Sequence, residues 1–224
     1  MFALGSVVLV ALAVMSGEAT GSRHLAGTRL QQGGVIAGEV RVARTPPRRT
    51  AERYAGAVPS AERPVQEVPA VVYLEGAPAA RAASRHRSRL VQKDTTFVPG
   101  ALVVEVGTTV EFPNADPFFH NVFSYSKPKR FDLGRYPQGE SKSVRFDAPG
   151  IVKIYCEVHR SMRALLVVVE SPYHTVVDER GRFSIPDVPP GRYELVVVDG
   201  ERGTRTVDVT VTAGRTTNLT VSFP

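Results

Sequence analysis

After residue 33 the chain is a succession of short runs rich in Val, Ile, Thr and Phe, each closed by Gly, Pro or Asp, with no sustained helical periodicity. That rhythm restricts the fold to an all-β one. The runs predict strands over 35–42, 70–74, 90–93, 102–106, 109–112, 120–125, 141–146, 151–155 and 164–169, then over 173–177, 182–185, 193–198, 204–211 and 216–223. The last two alternate cleanly: Val207, Val209 and Val211 share one face, and Thr217, Leu219, Val221 and Phe223 share one face of the final strand. So many short strands at regular spacing point to β-sandwiches.

Two stretches interrupt the rhythm. Residues 43–69 are rich in Pro, Arg and Ala, and residues 76–89 in Ala, Arg and Ser, so both read as surface loops. A further change of composition falls at Ser171-Pro172. The total of 224 residues suits one or two domains. Phe2 to Met15 is an apolar run of signal-peptide length, too short to span a bilayer comfortably, and Gly17-Glu18-Ala19 offers small residues for cleavage. Its n-region has no Lys or Arg before Arg23. The expectation is residues 1–19 as a signal peptide, a periplasmic or otherwise exported protein, and no integral span once the leader is removed; a retained N-terminal anchor is the alternative.

The net charge of +6 comes mostly from arginine, concentrated in 44–53 and 81–93. These segments lack interleaved aromatics and any nucleic-acid-binding motif, so no nucleic-acid partner is expected. They read as solvated loops, with a docking surface for an acidic redox partner as the functional alternative.

Chemistry concentrates in Cys156-Glu157-Val158-His159-Arg160-Ser161-Met162. Cys156 is the sole cysteine, and the other methionines, Met1 and Met15, lie in the leader. A lone cysteine in an exported chain forms no internal disulfide; beside an imidazole and a thioether it reads as a metal ligand. Thiolate, imidazole and thioether suit copper, and two histidines with a cysteine and a weak axial methionine form a blue-copper electron-transfer set. The second histidine is supplied by His120, at the start of a predicted strand after the turn Pro113–Pro117. His24 lies near the leader, His86 sits among Arg85, Arg87 and Arg89, and His174 lies at a junction, so these three are weaker candidates. Phe118 and Phe119 each read as core residues when taken singly; with Val158 they form an apolar patch for docking.

The segments 114–123 and 155–162 resemble the cupredoxins, the plastocyanin and pseudoazurin group. The resemblance implies a Greek-key β-sandwich over 88–170 holding one type 1 copper, with His120, Cys156, His159 and Met162 as ligands. Two residues separate His159 from Met162 here, where the usual loop has four or so. By the same analogy Asn121 hydrogen-bonds across to the Cys156 loop. Residues 33–200 more widely resemble exported bacterial methylamine-utilisation or plastocyanin-like proteins, which carry a similar Asp-Pro-x2-His-Asn-Val segment and a short Cys-x2-His-x2-Met loop.

Residues 176–198 resemble a carboxypeptidase regulatory-like, transthyretin-type β-domain, through an Asp-x2-Gly turn, an apolar strand and Pro189-Pro190-Gly191 before Tyr193. As turn chemistry, Gly181 and Gly191 allow positive φ and the prolines end a strand. The run Gly34–Val42 and the strand Val71–Gly76 resemble that family's opening strands. The expectation is a second, smaller regulatory-like sandwich formed by 33–76 with 171–224, into which the copper unit is inserted.

The implied function is copper binding and electron transfer to a redox partner protein, without catalysis. The alternatives are copper delivery or storage, and a non-enzymatic surface β-module that binds carbohydrate or protein. Zinc also takes Cys and His, but a thioether argues for copper. A Cys-His nucleophilic enzyme draws its pair from distant parts of the chain, whereas Cys156 and His159 share one loop. A multicopper oxidase needs more than five histidines.

Overall fold

The computed structural model describes residues 32–42, 66–78 and 88–224. The leader, His24, His86 and the arginine-rich stretch 44–53 lie outside the described residues, as do residues 81–87 of the second basic segment. Among the described residues there are seventeen strands and no helix.

The strands stack as four sheets. The outermost has β1 (Gly34–Val42) between β14 (Arg182–Val188) and β17 (Thr216–Phe223), antiparallel to the first and parallel to the second. The next orders β13 (His174–Val176), β2 (Val71–Glu75), β15 (Gly191–Asp199) and β16 (Gly203–Val211). Between these two sheets lies one apolar core, built from Ile36, Val40, Val72, Leu74, Phe183, Ile185, Leu195, Val197, Val221 and their neighbours.

The third sheet has five strands, in the order β6 (Ala101–Glu105), β12 (Arg163–Val169), β11 (Gly150–Tyr155), β8 (His120–Ser124) and β9 (Phe131–Tyr136). The fourth orders β10 (Ser141–Phe146), β7 (Thr108–Pro113) and β3 (Ser88–Arg89). The hairpin of β4 (Val91–Lys93) and β5 (Thr96–Val98) lies beside them. Phe97, Val110, Phe112, Val122, Phe146, Ile154 and Leu166 fill the core of this second sandwich.

β12 joins the two sandwiches. Its run Ala164-Leu165-Leu166-Val167-Val168-Val169 is buried throughout. Successive strand side chains point to opposite faces. Ala164, Leu166 and Val168 enter the core of the second sandwich. Leu165, Val167 and Val169 pack on Val71, Val196 and Val198 of the first. A strand covered on both faces reads as a continuous apolar run instead of an alternating one, which is what this sequence shows. Fully burying each Leu or Val contributes about 1.5–3 kcal/mol, so this seam is a strong one. Gln66, just before β2, adds a polar clasp. Its side chain exchanges two hydrogen bonds with the Phe97 backbone at 2.6 and 3.0 Å, and its carbonyl accepts from Arg163 Nε at 2.9 Å. Arg163 also pairs with Glu201.

Four expectations need correction. β3, β5 and β9 were absent from the predicted strands, and β3 falls within the stretch 76–89 that reads as a surface loop. β9 carries Gly134 at φ +64°, and its register against β8 slips between Asn121 and Phe123, so one extra residue of β9 is accommodated in a bulge that breaks the alternation. Gly181 does take positive φ, at +81°, but Gly191 does not. At Gly191 the requirement is space, since a Cβ would come within 2.9 Å of Tyr193 Oη.

Candidate metal centre

Two segments meet at one end of the five-stranded sheet. β8 and β11 are antiparallel, with Tyr155 opposite Phe123. Continuing in that register, the chain leaving β11 runs back along β8 towards its first residue, His120. The β11–β12 loop is closed by its own backbone: the Cys156 N–H donates to Met162 O at 3.4 Å and the Met162 N–H to His159 O at 3.0 Å. Asn121 Oδ1 accepts the Glu157 N–H at 2.7 Å and ties β8 to the loop. The Gln66 N–H donates to Ser161 O at 3.2 Å, so the same residue that links the sandwiches also braces the loop from outside.

The structure brings three of the sequence-derived ligand candidates together. His120 Nδ1 lies 3.7 Å from Cys156 Sγ and 3.2 Å from His159 Nδ1. One donor atom from each of the three residues falls within 4.8 Å of the others. Donors held about 2.0–2.3 Å from a common centre at tetrahedral to trigonal angles lie about 3.3–3.8 Å apart, so the two separations from His120 are close to what one small metal ion requires, while the widest separation in the triad is bounded only at 4.8 Å. His120 is wholly buried and Cys156 nearly so, while His159 is half-buried at the surface. Met162 is buried in the same apolar cluster as Cys156. His174 is remote from this group: it starts β13, paired with Tyr73 of the other sandwich.

The rim is apolar and open. Phe118, Phe119 and Val158 are 41%, 56% and 41% exposed, so neither phenylalanine is a core residue. The Phe118 ring packs against both imidazoles, with centroids 5.1 Å from His120 and 5.3 Å from His159.

Below the rim lies a buried polar network in which two members, Asn114 and Asp116, had no assigned role. Asn114 Nδ2 donates to Phe118 O at 2.8 Å and Tyr136 O at 3.1 Å, which shapes the turn leading to His120. Its Oδ1 accepts the Asp116 N–H at 3.0 Å. Asp116 Oδ2 faces His120 Nε2 at 2.8 Å. Burial works to raise the Asp116 pKa, but the bonds from the Thr95 N–H, the His120 ring and the Asp94 N–H outweigh it and hold the carboxyl below its ordinary value. Tyr136 is pushed well above the ordinary phenol value, chiefly by burial, and its hydroxyl donates to Phe112 O at 2.8 Å. The one sequence signal for Asp116 was an acid four residues before a ligand histidine, on a turn where that spacing brings the two side chains together.

Residues 87–170 match the family model of copper binding proteins, plastocyanin/azurin family, and residues 161–224 match the carboxypeptidase regulatory-like domain. The chain therefore combines a cupredoxin β-sandwich with a carboxypeptidase regulatory-like one. The two matches overlap on β12, the strand that faces the second core on one side and the seam on the other. Among solved structures, a copper-containing nitrite reductase from Thermus scotoductus SA-01 is 27% identical over 42% of this chain, at a TM-score of 0.37. This chain spans only 25% of that enzyme's length. A purple cupredoxin from Nitrosopumilus maritimus is 24% identical over 37% of this chain and 99% of its own, at a TM-score of 0.34. Amicyanin from Paracoccus versutus is 16% identical over 44% of this chain and 97% of its own, at a TM-score of 0.35. No curated protein matches the chain.

Proposed function

We propose that this is an exported, mononuclear type 1 copper protein that carries single electrons to a redox partner protein and catalyses no reaction itself. Its ligands are His120, Cys156 and His159, with Met162 in the axial role. The observation that carries the reading is the convergence of Cys156 Sγ and the two Nδ1 atoms on one small volume. Copper held there supplies a one-electron couple. A buried cysteine beside a metal ion binds as the thiolate. The buried Met162 adds a soft thioether, which favours copper over zinc.

The chain's own contribution is rigidity and access. The loop's internal hydrogen bonds, the Asn121 bond and the Gln66 brace hold the ligands in one arrangement, so little reorganises when the charge changes. His159 is the ligand ring nearest solvent, and the exposed Phe118, Phe119 and Val158 around it suit close approach of a partner. The reading also takes the copper unit, 88–170, as an insertion into a regulatory-like sandwich made of 33–76 and 171–224, since β1 and β2 pair with C-terminal strands.

The test is the visible spectrum of purified protein after Cu(II) is added. An intense thiolate-to-copper band, abolished by Cys156→Ser, is expected. No such band, or one that survives that substitution, defeats the reading. Repeated reduction and reoxidation without metal loss is expected of a carrier; copper released on reduction would indicate delivery instead. N-terminal sequencing of the exported form checks the leader.

A further inference from the structure

Asp116 is 4% exposed, and its carboxylate is fully engaged. Oδ1 accepts the Asp94 N–H at 2.7 Å, and Oδ2 accepts the Thr95 N–H at 2.9 Å and faces His120 Nε2 at 2.8 Å. The two backbone donors belong to the β4–β5 turn, where Asp94 and Thr95 have φ of +53° and +56°. Neither is glycine, and a β-branched residue rarely adopts this region. Such conformations persist only where the surrounding structure holds them. Here the turn is held with both N–H groups aimed at one carboxylate, whose remaining contact is a candidate metal ligand.

The consequence for His120 follows from the chemistry of imidazole. A neutral ring carries one N–H and one lone pair. A carboxylate facing Nε2 requires the proton there. The lone pair is then on Nδ1, the atom turned towards Cys156 Sγ and His159 Nδ1. A carboxylate on the far nitrogen of a ligating histidine also raises the basicity of the ligating one. Negative charge close to the site, with little water between, favours the more highly charged metal ion.

We infer that Asp116 is the positioning residue of this site: it selects the Nδ1-ligating tautomer of His120 and biases the bound metal towards its oxidised state. The inference rests on the copper reading for its redox part, but not for its tautomer part.

Two measurements test it. In metal-free wild-type protein, 15N NMR of the imidazoles should find His120 protonated on Nε2; a proton on Nδ1 overturns the inference. This reading needs no variant and no copper, so failure of the wild type to bind copper would defeat the proposed function and leave the tautomer to be judged separately. In Asp116→Asn, Cu(II) affinity measured by competition with a chelator should fall about 10–100-fold. Cu(I) affinity should fall less. A tenfold difference between the two raises the reduction potential by about 59 mV. An unchanged ratio of Cu(II) to Cu(I) affinity in a folded Asp116→Asn protein overturns the redox part, because a merely structural defect lowers both together. Should that variant not fold, Asp116→Glu, which keeps the charge, serves for the same ratio and should stay near the wild-type value; a ratio shifted as far towards Cu(I) as a lost charge requires refutes the role of charge.

Discussion

The two sandwiches share a class of fold and differ in what they bury. The regulatory-like core between the first two sheets is made of apolar side chains: Ile, Val, Leu, Phe and Tyr, with Ala. The copper-type sandwich buries Gln92, Thr95, Asn114, Asp116, His120, Asn121 and Ser124 as well, seven of the nine buried polar residues among those described. Burying a polar group costs free energy unless it is hydrogen-bonded. Asn114, Asp116 and Asn121 meet that condition through backbone groups of neighbouring segments. One sandwich is thus a scaffold optimised for packing, and the other gives up apolar packing at one end to hold a site. β12 belongs to the second sandwich and packs its other face on Val71, Val196 and Val198 of the first, so the site is braced through that seam.

Neighbouring residues of β12 offer the sharpest way to break this comparison. Leu165→Ala and Leu166→Ala each remove a buried Leu and should each cost about 2–5 kcal/mol. Leu166→Ala opens the core containing Cys156 and Met162 and should alter the copper band. Leu165→Ala opens the seam, and should leave the band unchanged while separating thermal unfolding into two transitions. Equal spectral effects from both would mean that the cores are not distinct.

Asn121→Ala comes next. It leaves the Glu157 N–H without its side-chain acceptor, a part-buried hydrogen bond contributing about 0.5–1.5 kcal/mol, and loosens β8 from the ligand loop. Copper should be lost faster to a chelator, and a release rate equal to wild type would remove Asn121 from the site. The same polar-to-Ala change in the other sandwich should act on stability alone.

The smallest effect is expected at the β13–β14 turn of the regulatory-like sandwich. The Arg182 N–H bonded to Asp178, followed by the Arg182 guanidinium and the Arg180 N–H, outweighs the opposing effect of burial and holds that exposed carboxyl below its ordinary 3.8. A depressed pKa adds stability that is fully present above the ordinary value and fades as pH falls through the lower folded-state value. Asp178→Asn should therefore lower the melting temperature slightly at neutral pH and converge on wild type in strong acid. A gap that persists unchanged below about pH 2 would show that the turn owes its stability to something other than the charge.

Much of the fold was legible locally. Most strands announced themselves as β-branched runs, and the unbroken apolar run of β12 carried the signature of a strand covered on both faces. β3, β5 and β9 were not legible. β5 follows a turn with two positive-φ residues and no glycine to mark it, and β9 is broken by the bulge at Gly134. At the site, Cys156, His159 and Met162 stood out as candidates because ligand types lie close in sequence, and the structure brings the first two of them to His120. His120 was legible through its position at a strand start. Asp116 was not assigned a role, because nothing local says that the backbone of residues 94 and 95 will turn its carboxylate onto an imidazole.

By itself the sequence determined the all-β class and the loop that carries sulfur and imidazole together, since both are properties of short stretches of chain. Only the tertiary structure decided which C-terminal strands β1 and β2 pair with and in what register, that Phe118 and Phe119 face solvent, and that His120 presents Nδ1 to the site. Those outcomes depend on groups distant in sequence competing for the same hydrogen bonds and the same apolar surface, and such competition is resolved only when the whole chain packs.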